Sequence, residues 1–192
     1  MNPIIFDYSI TDTPLVRVSE TKDLGVIFTT NLSWEQHVMT TCSIALKILG
    51  LLFRVTKPFS DLRVLRTLYC CLIRPHLEYC CVVWSPHQLY LRDSIEMVQM
   101  RFLRLAGVRL GFRYLDVSEQ EISSYLNLPS LETRRSIHDV HFLYKLVNGI
   151  IDCPDLLQKI NFQIPTGTRS RVLFARTSVT TSYAANSPVI RM

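Results

Sequence analysis

Between residues 62 and 108 the apolar residues recur at intervals of three and four, and this period restricts the fold more than any other feature of the chain. A strand would alternate every second residue, whereas this spacing predicts two amphipathic helices meeting at the corner Trp84-Ser85-Pro86. On a wheel of about 100° per residue, Leu65, Leu68, Tyr69 and Leu72 fall together, while Arg63, Arg66, Cys70 and Arg74 form a second stripe to one side. Pro75 lacks an N–H and crowds the preceding turn, so the first helix is expected to kink or restart there. The second helix places Leu91, Ile95, Val98, Phe102 and Leu105 on one face and Arg101 and Arg104 on a neighbouring side. Each helix therefore has one face suited to packing and another suited to meeting an anion.

The flanking sequence adds a little sheet and more helix. Residues 4–10 alternate, Thr11-Asp12-Thr13-Pro14 signals a turn, and residues 15–18 resume extended structure, which predicts a hairpin. Residues 22–28 are expected to supply a third strand, with Gly25 marking a bulge or a close backbone approach. So small a sheet needs a cover on one face, so the chain is expected to be part of a larger protein. Ser33 and Gln36 have capping-box spacing, which starts a helix near Trp34 whose seam is Val38, Cys42, Ala45, Leu49 and Leu52 and which ends before Pro58. Ser60 or Asp61 can cap the next helix. Arg109 to Arg113, with Gly111, read as a loop. Ser118 with Glu121 opens a short helix, and Pro129-Ser130 introduces a longer one with the seam Ile137, Val140, Tyr144 and Val147 and a left-handed cap at Gly149. Asp152-Cys153-Pro154 begins a further turn or two. Beyond residue 163 only Val172-Leu173-Phe174 could hold a strand, and the tail reads as irregular and basic. The fold class is α+β, mostly α, with a residual β segment over 1–32, a helical domain over 33–160 and a tail over 161–192.

With 48% apolar residues, the 192-residue chain can fill a core, so disorder throughout is excluded. A net charge of +5 and a pI near 9.0 favour polyanionic partners over acidic or neutral ones. The most apolar stretch, around residues 44–53, is interrupted by Lys47, and the first residues lack the order of a signal peptide, so an intracellular protein without a membrane partner is expected. The six cysteines lie mostly in helical runs and are expected to be reduced.

Ten basic residues are candidates for phosphate contact: Lys47, Arg54, Lys57, Arg63, Arg66, Arg74, Arg101, Arg104, Arg109 and Arg113. Their alternative is a solvated helix face, and Arg74 could instead pair internally with Glu78. Cys70, Cys71, Cys80 and Cys81 with His76 or His87 suggest zinc, but adjacent thiols on a helix diverge by about 100°, so no metal is assigned and core packing is expected. Trp34 and Trp84 could stack on bases but sit in apolar contexts that favour packing. His37, His138 and His141 accompany no recognisable nucleophile motif, and the glycines form no phosphate cradle.

Several stretches, in order along nearly the whole chain, carry a resemblance. They include Lys22-Asp23-Leu24-Gly25-Val26, Leu32-Ser33-Trp34-Glu35-Gln36-His37, the run from Leu68 to Cys80, and Val83-Trp84-Ser85-Pro86. Val98-Gln99-Met100-Arg101-Phe102-Leu103-Arg104, the run from Leu126 to Arg135, the run from Phe142 to Gly149, and Asn186-Ser187-Pro188-Val189-Ile190-Arg191 complete the set. Together they resemble the region after the catalytic motifs of reverse transcriptases from jockey-like (LINE) non-LTR retrotransposons.

The resemblance implies the end of a palm, a helical thumb and the connection beyond it. Polymerases of this family hold two divalent metals on adjacent aspartates, and the chain has no Asp-Asp pair. No catalytic residue, metal ligand or cofactor is therefore assigned, although the parent would use Mg2+, and the chain alone is expected to be inactive. Its implied partners are an RNA–DNA template–primer duplex, gripped at its phosphates by the ten basic residues, and the rest of the parent's palm and fingers. The alternatives are an inert translated transposon remnant and a helical protein-interaction module.

Overall fold

The structure, a computed structural model, describes residues 8–59, 61–163, 174–175 and 187–191. The fold is α+β and mostly α: two small antiparallel hairpins precede a helical bundle. Strands β1 (Ser9–Ile10) and β2 (Thr13–Pro14) flank a turn in which Thr11 and Asp12 have φ of 50° and 64°. Strands β3 (Glu20–Asp23) and β4 (Val26–Thr29) flank Leu24 and Gly25 at 44° and 88°. Positive φ at both central residues gives a turn whose twist matches that of the paired strands. The single strand expected over 22–28 is thus folded back on itself, and Gly25 is a turn residue and not a bulge. The expected close approach is also present: a Cβ on Gly25 would stand 3.3 Å from the Tyr79 ring, whose hydroxyl donates to the Leu24 carbonyl at 2.9 Å. The first hairpin begins at Tyr8, and the rest of its expected first strand lies outside the described residues.

Helix α1 (Glu35–Val55) buries Val38, Cys42, Ala45, Leu49 and Leu52, the seam read from its spacing. Its capping differs from the box anticipated at Ser33 and Gln36. Ser33 Oγ accepts from the Glu35 N–H at 3.3 Å, while Trp34 occupies the cap position without a side-chain bond. Asp61 caps α2 (Leu62–Leu68), accepting from the Arg63 N–H at 2.8 Å; Ser60 lies outside the described residues. A π-helical segment, Tyr69–Ile73, follows, and then α3 (Arg74–Glu78). The Arg74 N–H donates to the Tyr69 carbonyl, five residues back. A tight turn would press the Pro75 ring against the carbonyl of Cys71, and the wider one relieves that contact. It also carries Leu72 outward to 47% exposure, while Ile73 and Leu77 are fully buried in line with Leu65 and Tyr69. The expected seam is corrected accordingly. Cys80, at φ 55°, breaks the helix again before α4 (Cys81–Trp84).

Helix α5 (Leu89–Arg109) is the central rod, packed against α1, α2, α6 (Glu119–Tyr125) and α7 (Leu131–Val147). It buries Leu91, Ile95, Val98 and Phe102 as expected, and also Gln99, Leu103 and Ala106, because neighbours enclose more than one of its faces. Its last turn includes Arg109, which shortens the expected loop. Tyr69 stacks on Phe102 with ring centroids 4.3 Å apart, and its hydroxyl donates to Gln99 Oε1 at 3.0 Å. Gln99 Nε2 in turn donates to the Pro129 carbonyl at 2.9 Å. This buried relay fixes the register of the π segment, α5 and the approach to α7 at once.

Ser118 and Ser130 cap α6 and α7, accepting from Glu121 and Thr133 N–H groups. At the far end of α7, Ile150 N–H reaches Lys145 O and Gly149 N–H reaches Leu146 O, with Gly149 at φ 68°: a Schellman cap where one was expected. The seam assigned to α7 is not borne out. Ile137, Val140, Tyr144 and Val147 are exposed, and the buried positions are Leu131, Arg135, Asp139 and Leu146. Short helices α8 (Pro154–Leu157) and α9 (Pro188–Arg191) follow. In the tail Phe174 forms an isolated antiparallel bridge with Phe162; Val172 and Leu173 lie outside the described residues.

Trp34 packs edge-on against Phe28 at 5.5 Å, and Trp84 is fully buried, donating Nε1–H to the Tyr79 carbonyl at 2.7 Å. Both tryptophans pack. Of the cysteines grouped above, only Cys81 is buried outright; Cys71 and Cys80 are exposed, so core packing does not account for the whole set. Helix α1 is long and apolar enough, by length and composition, to cross a membrane, and one of its faces is spent on the core.

Candidate nucleic-acid interface

The ten basic candidates divide by what their side chains touch. Arg66 donates from Nε to the Leu126 carbonyl at 2.6 Å, tying α2 to the end of α6. Arg109 donates to the carbonyls of Lys57 and Phe53 at 2.6 and 2.8 Å, closing the C-terminal end of α1 while lying over the Phe53 ring. These two keep their charge but are held by backbone. Arg104 pairs with Glu119 at 2.6 Å and lies over the Tyr114 ring, so its charge is neutralised locally. That bond raises the Arg104 pKa and lowers that of Glu119. Arg74 stands 3.8 Å from Glu78, the internal pairing that its position in the sequence allows.

Lys47, Arg54, Lys57, Arg63, Arg101 and Arg113 are exposed, and among the described residues none of these side chains makes a hydrogen bond or ion pair. Arg101 and Arg104 border a groove on the α1–α5 seam, floored by Leu46, Met97, Val98 and Met100. The two helices run side by side, since Cys42 meets Ser94 and Phe53 meets Phe102, with Leu46 and Val98 lining the groove between. Arg101 and Arg104 thus share one side of α5, while Arg109, about 140° round the helix from Arg104, turns to the C-terminal end of α1. Arg63, Arg66 and Arg74 stand on α2 and α3.

A second cationic cluster is not apparent from the sequence. Glu78 receives two hydrogen bonds from Arg134 on α7, in addition to Arg74, and His138 Nε2 lies 3.5 Å from it. Hydrogen bonding to Glu78 raises the Arg134 pKa. Two arginines around one carboxylate leave this corner positive. Arg92, Arg135 and Arg191 are likewise absent from the ten candidates. A signal exists in Arg134-Arg135, whose neighbour Asp139 lies one turn from Arg135, but a periodicity argument assigns charged residues to the solvent face.

Among the described residues no group of three or more histidine, cysteine or acidic side chains converges as a metal site. Burial pushes the thiols of Cys42 and Cys81 up to about 11, which keeps them protonated and unreactive near neutral pH. Comparison of the chain with family models, curated proteins and solved structures finds no match.

Proposed function

We propose that the chain is the thumb-like portion of an RNA-directed DNA polymerase from a non-LTR retrotransposon, gripping a template–primer duplex through phosphates and carrying no catalytic group. The observation that carries this reading is the set of exposed basic side chains, free of internal partners among the described residues, of which Lys47, Arg54, Arg63 and Arg101 stand on helices that bury other faces in a core and Lys57 and Arg113 lie beyond helix ends. Phosphate grip asks for cations on rigid elements and for no acid at an active centre. The order of the motifs along the sequence supplies the polymerase context, and an intracellular location, cytoplasmic or nuclear, goes with it. The missing partners are then the palm and fingers of the parent.

The test is binding of the full chain to a labelled RNA–DNA hybrid across a salt series. Log affinity is expected to fall linearly with log salt, and the slope should shrink by about one unit for each phosphate-binding cation removed. Joint replacement of Lys47, Arg54, Arg63 and Arg101 by Gln should weaken binding and flatten the slope. An unchanged slope in a folded quadruple variant would sink the proposal.

A second reading, a helical protein-interaction module, is favoured by α7. Ile137, Val140, His141 and Tyr144 border an open, largely apolar groove of about 560 Å³. On α1, Ile44, Leu51 and Val55 are similarly exposed. Two exposed apolar helix stripes, without cover among the described residues, are what a protein contact would use.

A further inference from the structure

Helix α7 turns a charged residue inward. Arg135 is 3% exposed, and neither Nη1 nor Nη2 has a hydrogen-bond partner among the described residues. Its nearest carboxylate, Glu96, stands 3.9 Å from Nη2, beyond hydrogen-bond length. The Glu96 oxygens are already engaged, accepting the Leu131 and Glu132 N–H groups at 3.2 and 2.6 Å at the start of α7. A buried guanidinium with unmet donors is costly, and burial lowers its pKa accordingly.

Arg135 is one of the residues lining a cavity of about 300 Å³ between α7, the α4–α5 corner and α9. The other charged groups in its wall are already matched. Arg92 pairs with Glu132, and Arg191 holds Asp139 with both forks while donating to the carbonyls of Ser85 and Val82. Arg135 is the exception: its only carboxylate, Glu96 at 3.9 Å, spends its oxygens on backbone N–H groups, so the unmet donors of this wall are those of Arg135. Ser85 and His87 add polar groups to the same wall. A planar fork with two free N–H edges matches the oxygens of a tetrahedral oxyanion, and the volume exceeds what one or two waters need.

We propose that this cavity is a binding site for a small phosphate, either free or as the monoester of a small molecule, with the Arg135 guanidinium as its principal ligand. The site is separate from the duplex-gripping cations and does not rest on the polymerase reading. The probes are inorganic phosphate and glycerol 3-phosphate, titrated into the full chain at constant ionic strength against chloride. The readouts are the melting temperature and the arginine side-chain NMR resonances. A saturable rise in melting temperature is expected, together with movement of the resonance that disappears in Arg135→Met. That variant removes a buried charge while keeping an unbranched side chain, so it should remain folded, yet show no phosphate-dependent shift. A larger shift with glycerol 3-phosphate identifies the monoester as the ligand class; an equal or smaller one identifies free phosphate. Replacing the exposed Arg63 and Arg101 by Gln should leave the effect intact. The proposal is overturned if wild type responds no more to phosphate than to chloride, or if Arg135→Met shows the same shift.

Discussion

His37 shows how much one side chain settles. It is 5% exposed, lies edge-on to Trp84 at 5.0 Å, and its Nδ1 accepts the Ile27 N–H at 3.3 Å, joining β4 to α1. Accepting that bond requires a neutral ring nitrogen, and burial, with a smaller push from Lys22, lowers its pKa below 6.5. Between 6.5 and the lower folded value the unfolded chain binds the proton and the folded chain does not, so stability is full above 6.5 and is lost as the pH falls through that window. The melting temperature should therefore drop as the pH falls through 6.5, and His37→Gln should flatten that part of the profile. A profile of unchanged steepness in the variant would remove His37 as the cause. In the sequence, His37 is only a histidine without a nucleophile. Its role depends on the hairpin turn at Leu24 and Gly25, which the extended pattern of residues 22–28 hides, so its partner is not legible there.

At the scale of elements, glycine within a helix separates propensity from packing. Gly50 on α1 and Gly107 on α5 look alike in sequence, and Ala in place of either favours the helix by about 1 kcal/mol. A Cβ on Gly50 meets nothing within 4 Å, whereas one on Gly107 would lie 2.6 Å from both Val117 methyl carbons. Val117 is stiff and buried, so overpacking there costs about 1–3 kcal/mol. Urea unfolding should find Gly50→Ala stabilised by up to about 1 kcal/mol and Gly107→Ala destabilised by about 1 kcal/mol or more. Helix positions and caps are legible because Asp61, Ser118, Ser130 and Gly149 act through their own few neighbours. Which face of α7 packs is not. Ile137, Val140 and Tyr144 give a clean helical stripe, but the face that meets α4 and α5 is the one whose Arg135 and Asp139 have Glu96 and Arg191 opposite them. Pairing between residues so far apart in the chain leaves no trace in a local window.

For the molecule as a whole, the exposed apolar stripes on α1 and α7 predict association. Sedimentation at rising concentration should reveal self-association, and the triple change of Ile137, Val140 and Tyr144 to Ser should reduce it with little effect on the melt, since none of the three is in the core. A concentration-independent monomer would show that these stripes do not bind one another. The basic set is legible only in part. The composition places cations on helices, but Arg66, Arg104 and Arg109 are also ties between elements that distance in sequence conceals. The π segment carries a last consequence. One residue more than an ordinary turn needs is absorbed between Tyr69 and Ile73, and without Leu72 the apolar positions at 62, 65, 69, 73 and 77 would fall at intervals of three, four, three and four. The segment thus has the form of a single-residue insertion that the helix has accommodated by widening, leaving Ile73 and Leu77 seated in the core.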